Sequence, residues 1–339
     1  MGEPVELTCE TVDYHTAGEP FRIVTVGVPD IPGDTVLARR ETAAGSDEID
    51  RVRRLLCHEP RGHSDMYGCF VVPPDDDGAD LGVLFWHKDG YSTACGHGTI
   101  ALGAWLVESG RKPAAADGDT DVVIDVPSGR VTARVRCRAG QVEHVTFRNV
   151  ASYVVERSAP VTTSRGEVSA DMSYGGAIYA SVPAAAVGLE VTPEHLPELI
   201  TLGREIKWAL NDRAIHSEDA RLSGVYGTIW YDDLGDTESG PHQRNCTVFA
   251  DGEVDRSPCG SGTSARLALL HADGRLSAGR SLTHDSIIST RFTGAVVEVV
   301  EAAGRPAVIT EVTGTAYRTG EHRFALDPRD RLDTGFLLR

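Results

Sequence analysis

The sequence of 339 residues lacks any apolar run near the ~20 residues that a helix needs to cross a bilayer. It also lacks an excess of basic residues, since 33 Lys and Arg stand against 50 Asp and Glu, a formal net charge of −17. A chain of this charge offers no basic footprint for a phosphate backbone, so we expect no nucleic-acid partner and no membrane association. The first residues show neither the basic start nor the apolar stretch of a signal peptide.

Cysteine is present, but without the spacing of a disulfide framework or a redox motif. The seven cysteines are an odd number, they are scattered along the chain, and no two form a Cys-x-x-Cys pair. Cys57 stands beside His58, with His63 nearby, but no metal-ligand spacing recurs elsewhere, so we expect no metal. These features predict a reduced, cytoplasmic protein.

The composition is that of a globular protein with the length of about two domains, because hydrophobic residues make up 41% and charged residues 24%. Helices are predicted at 47–56 and from Pro193 onward, with Thr192 as the cap. Hairpins are predicted to join 122–126 to 131–135 and 295–301 to 307–313. Short runs rich in Val, Ile, Thr and aromatic residues predict strands at 21–28, 82–87, 122–126, 131–137, 246–249, 296–300 and 308–313. The predicted fold class is therefore α+β.

A twelve-residue block occurs twice in the chain. Residues 95–106 read CGHGTIALGAWL and residues 259–270 read CGSGTSARLALL, with identity at seven of the twelve positions. Each block follows an apolar strand and an Asp-Gly pair. Each is also followed by a glycine, Gly110 or Gly274, in the position expected just past the end of a helix.

The two blocks are 164 positions apart, about half the chain. A repeat of this length predicts two similar domains facing each other across a pseudo-two-fold axis, because solenoid repeats are far shorter. The polar, turn-rich segment 156–168 predicts the boundary, with an N-terminal half at 1–160 and a C-terminal half at 161–339. A return of about the last 20 residues to the N-terminal half stays open. A looser alignment pairs Asp13, Gly18 and Phe21 with Asp171, Gly176 and Tyr179.

Each block begins with a cysteine where a strand meets a helix. Unpaired N–H groups and the positive end of the helix dipole lie at such a junction, so Cys95 and Cys259 are candidate reactive thiols with a lowered pKa. The flanking glycines allow the backbone to approach a ligand closely, so the same amides could hold a carboxylate or a phosphate. An isolated cysteine is more often buried and inert. The duplication favours two thiols on opposite sides of one ligand.

Three other uses of such a cysteine fit the sequence less well. A phosphatase loop needs five residues between Cys and Arg, whereas six separate Cys259 from Arg266 and the first block has no matching Arg. Redox exchange needs paired sulfurs. A papain-like hydrolase with His97 as its base leaves the second cysteine unexplained. Two facing thiols suit the transfer of a proton between the two faces of a stereocentre, with one thiol as base and the other as acid.

The residues also resemble the cofactor-independent proline racemase family, which includes proline racemases, hydroxyproline 2-epimerases and trans-3-hydroxy-L-proline dehydratases. The resemblance covers nearly the whole chain. It rests on DYHTAGEP at 13–20, EPRGHSDMYG at 59–68, CGHG at 95–98, YGG at 174–176, DRSPCGSG at 255–262 and GFLL at 335–338. It implies a diaminopimelate epimerase-like fold of two similar halves, each a curled β-sheet around a central helix.

The same resemblance implies roles for individual residues. The catalytic acid/base pair would be Cys95 and Cys259. Backbone N–H groups around the substrate carboxylate would come from Gly96, His97, Gly260 and Ser261. The ring nitrogen would contact Asp255 and His97, and the walls of the pyrrolidine ring would be Tyr67 and Phe249. The resemblance further implies a small-molecule substrate, no cofactor, no metal and a homodimer.

One departure from the family bears on the reaction. Outside the second block the chain looks most like the 3-hydroxyproline dehydratases, which typically carry Thr at the position of Cys259 because elimination of the 3-hydroxyl needs only one base. The presence of both cysteines favours racemisation or 2-epimerisation of proline or hydroxyproline. Dehydration with Cys95 as the base is the alternative, and a non-catalytic amino-acid-binding protein is a more remote one. The choice among proline, 4-hydroxyproline and 3-hydroxyproline stays open.

Overall fold

The computed structural model describes residues 7–277 and 279–338. The earlier elements are β1 (Leu7–Thr16), β2 (Glu19–Val26), α1 (Val36–Ala44), α2 (Asp47–Cys57), β3 (Gly68–Val72), β4 (Leu81–His87), β5 (Gly90–Tyr91), α3 (Gly96–Glu108), β6 (Gly118–Val126), β7 (Gly129–Arg138), β8 (Gln141–Arg148) and β9 (Ser152–Thr163). The later elements are β10 (Gly166–Tyr174), β11 (Ile178–Pro183), α4 (Leu196–Leu210), β12 (Val225–Thr237), β13 (Gly240–Phe249), β14 (Glu253–Asp255), α5 (Gly260–Ala272), β15 (Ser281–Ser286), β16 (Arg291–Ala302), β17 (Arg305–Gly314) and β18 (Ala316–Leu326). Among the described residues, no helix combines the length and the apolar character needed to cross a membrane.

The chain passes twice through the same order of elements. The hairpin β1–β2 corresponds to β10–β11, and the parallel pair β2–β3 corresponds to β11–β12. The parallel pair β4–β6 corresponds to β13–β15, and the antiparallel run β6–β7–β8 corresponds to β15–β16–β17. The predicted fold class of two similar halves is therefore confirmed. The loose alignment has a structural basis too, because Gly18 and Gly176 sit in the two equivalent hairpin turns with φ of +94° and +91°.

The strands of each half curl around one central helix. Strands β1, β2, β6, β7, β8 and β18 contact α3, and strands β9, β10, β11, β16 and β17 contact α5. The first eleven residues of each helix are buried. A helix that is buried on every side needs apolar or small residues all round, which both repeated blocks supply.

In each of the two repeats, the last strand pairs with strands other than the one that precedes it in the sequence. Strand β9 pairs with β10 and with β17, and β18 pairs with β1. Beyond β18, Phe336 forms a β-bridge with Glu59. The boundary predicted near residue 160 falls inside β9, and the division into 1–160 and 161–339 stays a prediction.

Most predicted elements are present, with two differences. Each predicted strand overlaps an observed one, the two predicted hairpins are β6–β7 and β16–β17, and the helix predicted at 47–56 is α2. The predicted start of α4 is wrong by about one turn, because Pro193–His195 forms a 3₁₀ turn before the helix begins at Leu196. The hydroxyl of Thr192 lies near the His195 ring and caps no amide.

The two central helices meet end to end at their first residues. A Cβ atom on Gly96 would lie 2.6 Å from the Cα of Gly260, and a Cβ on Gly260 would lie 2.6 Å from the Cα of Gly96. Carbon atoms do not approach this closely, so only glycine fits on either side of the contact. The repeated Cys-Gly dipeptide is therefore a requirement of packing as well as a candidate site.

We expect Gly96→Ala to lower the free energy of unfolding by about 1–3 kcal/mol, because the new methyl group meets backbone that can move only if the helices separate. Denaturant titration followed by circular dichroism measures this change. Gly45→Ala is the matched control, since its Cβ would lie 3.4 Å from the nearest atom and its φ is −91°. Equal stability of the two variants would contradict the close contact.

Candidate active site

Cys95 and Cys259 lie on the two sides of the contact between Gly96 and Gly260. Each cysteine immediately precedes a central helix, and each is 4% exposed. The Sγ of Cys95 accepts the N–H of Gly98 at 3.2 Å, so this thiol acts as the cap of α3. The structure thus brings together the two cysteines that the sequence singled out, at the facing ends of the two helices.

The two cysteines differ in backbone conformation. Cys95 is extended, with φ −155°, whereas Cys259 has φ +61°, in the left-handed region. A non-glycine residue held there in an unfavourable conformation costs on the order of 1–3 kcal/mol and persists only when its surroundings fix it. The side chain of Cys259 makes no cap hydrogen bond to its helix.

Residues of the same turn hold Cys259 in this conformation. The Oγ of Ser257 accepts the N–H of Cys259 at 3.0 Å, while Ser257 donates both its N–H and its hydroxyl to the carboxylate of Asp255, at 2.8 and 2.7 Å. The carbonyl of Pro258 accepts from the Nδ2 of Asn245 at 2.7 Å. The Asp-Arg-Ser-Pro-Cys segment is thus a turn braced largely by its own side chains.

The buried side chain of His284 also supports this turn. Nε2 of His284 lies 2.8 Å from Nδ2 of Asn245, and Nδ1 lies 2.8 Å from Oγ1 of Thr263. The side-chain NH2 group of Asn245 can only donate, so Nε2 of His284 accepts and the proton of the imidazole is on Nδ1. Burial lowers the pKa of His284 to about 3, which keeps the ring neutral in this role.

The expected lowering of the pKa of the two thiols is wrong. Burial raises the pKa of Cys95 and of Cys259 well above the usual value, although the amides of Gly98 and Gly262 act in the opposite direction. The carboxylate of Asp255 raises both values further. Desolvation of the thiolate outweighs the field of the helix end, so both thiols are protonated at neutral pH.

Asp255 and His97 lie together beside the thiols, and their contact with a substrate ring nitrogen stays a prediction. Nδ1 of His97 lies 3.9 Å from Oδ2 of Asp255 and 3.4 Å from the Sγ of Cys95. Burial lowers the pKa of His97 to about 3 and raises the pKa of Asp255 to about 6. At pH 7 the imidazole is neutral and the carboxylate is charged, so Asp255 supplies a buried negative charge that can receive a ligand cation.

The backbone amides at the two helix ends can hold an anion. The first N–H groups of an α-helix have no partner within the helix. In residues 7–277 and 279–338, no hydrogen bond takes up these N–H groups at four positions, namely Gly96, His97, Gly260 and Ser261. The helix ends converge, so one carboxylate between them can meet donors from both halves.

Aromatic rings cluster beside His97, among them those of Tyr67 and Phe249, whose role as the wall of a substrate ring stays a prediction. The rings of Tyr67 and Phe249 are 5.8 Å apart between centroids, and Tyr226 stacks on Phe249 at 5.6 Å with an interplanar angle of 20°. The Oη of Tyr67 lies 3.1 Å from that of Tyr226 and within hydrogen-bond distance of the Oγ of Ser92. Ser92 and Tyr226 also line part of a pocket of about 260 Å³.

Sequence reasoning missed Tyr226 and Ser92 as parts of the wall. A signal for Tyr226 was present, because Tyr226-Gly227 repeats the dipeptide Tyr67-Gly68 at the start of the parallel strand of each half. Ser92 gave no such signal.

One cluster of metal-ligand side chains lies behind this wall. Ligand atoms of His87, Asp89 and Glu253 lie within 4.8 Å of one another, with Nδ1 of His87 3.0 Å from Oε1 of Glu253. Burial raises the pKa of Glu253 and lowers that of His87 to about 3. Both shifts disfavour the charged forms of the two side chains, and Nδ1 of His87 accepts the N–H of Asp89 at 3.2 Å.

Known proteins resemble this chain over nearly its whole length. The family model described as proline racemase matches residues 11–337. The chain is 42% identical to a trans-3-hydroxy-L-proline dehydratase of Bacillus cereus, over 97% of each chain. It is 43% identical to a 3-hydroxyproline 2-epimerase of Burkholderia multivorans, over 99% of each chain. A hydroxyproline epimerase from Agrobacterium vitis, solved with bound trans-4-hydroxy-L-proline, superposes with a TM-score of 0.91 at 34% identity, covering 98% of this chain and 96% of that one.

The neutral state of His284 predicts a loss of stability in acid. In the unfolded chain a histidine has a pKa near 6.5, whereas the buried ring of His284 is protonated only near pH 3. The contribution of His284 to the free energy of unfolding is therefore complete above pH 6.5 and is lost as the pH falls. We expect the stability advantage of the wild type over His284→Gln to shrink by about 2 kcal/mol between pH 7.5 and pH 5. Urea titration at each pH measures it. The same comparison with His144→Gln, at a partly exposed side chain, should show no comparable change.

Proposed function

The chain belongs to the proline racemase family, and on this basis we propose that it inverts the α-carbon of proline or hydroxyproline with two thiols and no cofactor. The observation that carries the proposal is the placement of Cys95 and Cys259 at the facing ends of two buried helices. A carbon held between them is open to a base on one face and to an acid on the other. Inversion needs both groups.

The surrounding charges support a zwitterionic amino acid as the substrate. Its carboxylate would meet the free amides at both helix ends, and its ammonium would meet the carboxylate of Asp255. The neutral imidazole of His97 adds no competing positive charge. The bound ammonium would also offset the buried negative charge of a thiolate, which lowers the cost of ionising a thiol at the moment when it is needed.

The proton then moves in two steps. One of the two thiols first loses its proton to solvent when the substrate binds. The resulting thiolate takes the α-proton, and the electron pair of the C–H bond passes towards the substrate carboxylate, where the amides stabilise the added negative charge. The thiol on the opposite face gives its proton to the α-carbon and becomes the thiolate. The reverse reaction uses the same groups with their roles exchanged.

Three hydroxyl groups in the wall favour a hydroxylated ring over proline itself. Tyr67 contacts both Ser92 and Tyr226, so two contacts join three hydroxyls and one O–H proton is left for another acceptor. The ring hydroxyl of a hydroxyproline is such an acceptor, whereas the ring of proline offers none. The relative from Burkholderia multivorans is named for a hydroxyproline of this kind.

Dehydration of trans-3-hydroxy-L-proline is the second candidate, because a relative at 42% identity is named for that reaction. In that case Cys95 would remove the α-proton and the 3-hydroxyl would leave as water. The presence of Cys259 argues against dehydration as the main reaction, since elimination needs only one thiol.

Reaction in deuterium oxide distinguishes the candidates. The enzyme is incubated separately with L-proline, D-proline, trans-4-hydroxy-L-proline and trans-3-hydroxy-L-proline, and α-proton loss and optical rotation are followed. We expect exchange with inversion, fastest for a hydroxyproline, and a loss of inversion of at least about 100-fold in Cys259→Ser, since a serine hydroxyl is far less acidic than a thiol.

The same variants show which outcome opposes the proposal. A dehydratase would convert only the 3-hydroxy compound, would lose activity in Cys95→Ser and would keep it in Cys259→Thr. Inversion that survives in Cys259→Ser would refute the role of Cys259. Binding without exchange of any substrate would indicate an amino-acid-binding protein.

The raised pKa of Asp255 predicts an acidic limit to activity. The carboxylate must be charged to receive the ammonium, so kcat/KM should fall about tenfold for each pH unit below about 6. The guanidinium of Arg256 lowers this pKa, so Arg256→Gln should move the limit to higher pH. The pH profile of kcat/KM for both proteins tests this, and an unchanged limit in Arg256→Gln would exclude Asp255 as its source.

A further inference from the structure

The phenol of Tyr179 lies between the thiol of Cys259 and the hydroxyl of Ser261. Its Oη is 3.9 Å from the Sγ of Cys259 and 2.7 Å from the Oγ of Ser261. Tyr179 is on β11 and Ser261 is in the first turn of α5, and both are essentially buried, at 0% and 2% exposure. The three groups form a short chain closed to water.

We propose that Tyr179 and Ser261 form a reversible pair of hydrogen bonds that serves both protonation states of Cys259. This rests on the proposed function, in which Cys259 alternates between acid and base. Tyr179 is a positioning residue in this scheme, because it acts on the thiol and not on the substrate.

The two states differ only in the rotation of two hydroxyl groups. When Cys259 is a thiol, its S–H donates to Oη of Tyr179, and the phenol O–H donates to Oγ of Ser261. When the proton of Cys259 has passed to the α-carbon, Ser261 donates to Oη and the phenol donates to the thiolate. No proton other than that of Cys259 leaves its atom, and each heavy atom keeps its partner.

The pair favours the thiolate more than the thiol. A hydrogen bond to a charged sulfur is stronger than one from a neutral thiol, so the phenol offsets part of the desolvation that burial imposes on Cys259. Two other titratable groups face the thiol of Cys259, namely Asp255, whose charge opposes the thiolate, and Cys95 across the site. Tyr226 faces Tyr179, and the two rings meet edge to face at 5.7 Å. The hydroxyl of Thr247 also lowers the pKa of Cys259, and Tyr179 is the donor whose own oxygen is hydrogen-bonded to Ser261.

The first half does not repeat this pair. The loose internal alignment places Phe21 opposite Tyr179, and the repeated block places His97 opposite Ser261. The rings of Phe21 and His97 meet edge to face at 5.7 Å, and Phe21 has no hydroxyl to offer Cys95. The phenol that faces Cys95 is instead Tyr67, whose hydroxyl is hydrogen-bonded to Ser92 and Tyr226, so the two thiols are served by phenols from different positions in the two halves.

Tyr179→Phe, Ser261→Ala and wild type are compared by the pH dependence of alkylation with iodoacetamide, with each cysteine quantified by peptide mass mapping. In Tyr179→Phe we expect the midpoint for Cys259 to rise by about one pH unit, a tenfold loss of thiolate at a given pH, while the midpoint for Cys95 stays in place. Ser261→Ala should give a smaller rise, since the phenol can still donate. Tyr153→Phe, which removes a phenol from another buried ring, is the control and should match the wild type.

A second measurement needs no access of a reagent to the thiol. The pH profile of α-proton exchange should show the same upward shift in Tyr179→Phe, with kcat/KM reduced about tenfold equally in both directions, because the equilibrium constant fixes their ratio. An unshifted midpoint and an unshifted profile would overturn the proposal. If the wild type exchanges no α-proton, the proposed function fails, and the alkylation result still decides whether the phenol stabilises the thiolate.

Discussion

The contact between the backbones at Gly96 and Gly260 is the constraint on which the rest of the site depends. Two helices can meet at their first residues only where no side chain intervenes, so glycine is required on both sides. Once they meet, the preceding cysteines lie on opposite sides of the junction and the unpaired amides of both helices point to a common region. The strands around each helix fix its direction. A shift in either sheet would move a thiol and its amides together.

Burial sets the protonation states of the groups in the site. Burial keeps the thiols protonated and His97 neutral, and among the groups that line the site it leaves Asp255 as the charge at pH 7. A buried site with the charge of Asp255 and the unpaired amides of two helix ends is poorly compensated. A zwitterion supplies the missing positive charge and an anion for the amides in one molecule. Under the proposed function, complementarity of this kind selects amino acids before any contact with the ring is made.

Much of this architecture can be predicted from the sequence because the duplicated halves repeat the same motifs. The Cys-Gly-x-Gly-Thr blocks predicted the central helices, their ends and the facing thiols. The contact between Tyr67 and Tyr226 was not predicted, although the repeated Tyr-Gly dipeptide marks both residues, because the two are 159 positions apart. The direction of the thiol pKa was wrong for a related reason: a helix end is a local feature of the sequence, whereas burial depends on the whole chain. Helix α1 was missed because it buries only Val36 and Ala43 and so shows no apolar periodicity.

The pairing of β9 and β18 bears on how such a molecule could have arisen. Each pass through the repeated order of elements ends in a strand that joins the other half, since β9 pairs with β10 and β17, and β18 pairs with β1. Two identical chains that exchanged their last strands would form a domain-swapped dimer with the same pairings. Joining the end of one chain to the start of the next turns that dimer into a monomer in which neither copy is complete without the other. The surroundings of the two thiols could then diverge, with Tyr179 and Ser261 beside Cys259 and with His97 and Tyr67 beside Cys95, while the exchanged strands kept the thiols facing each other.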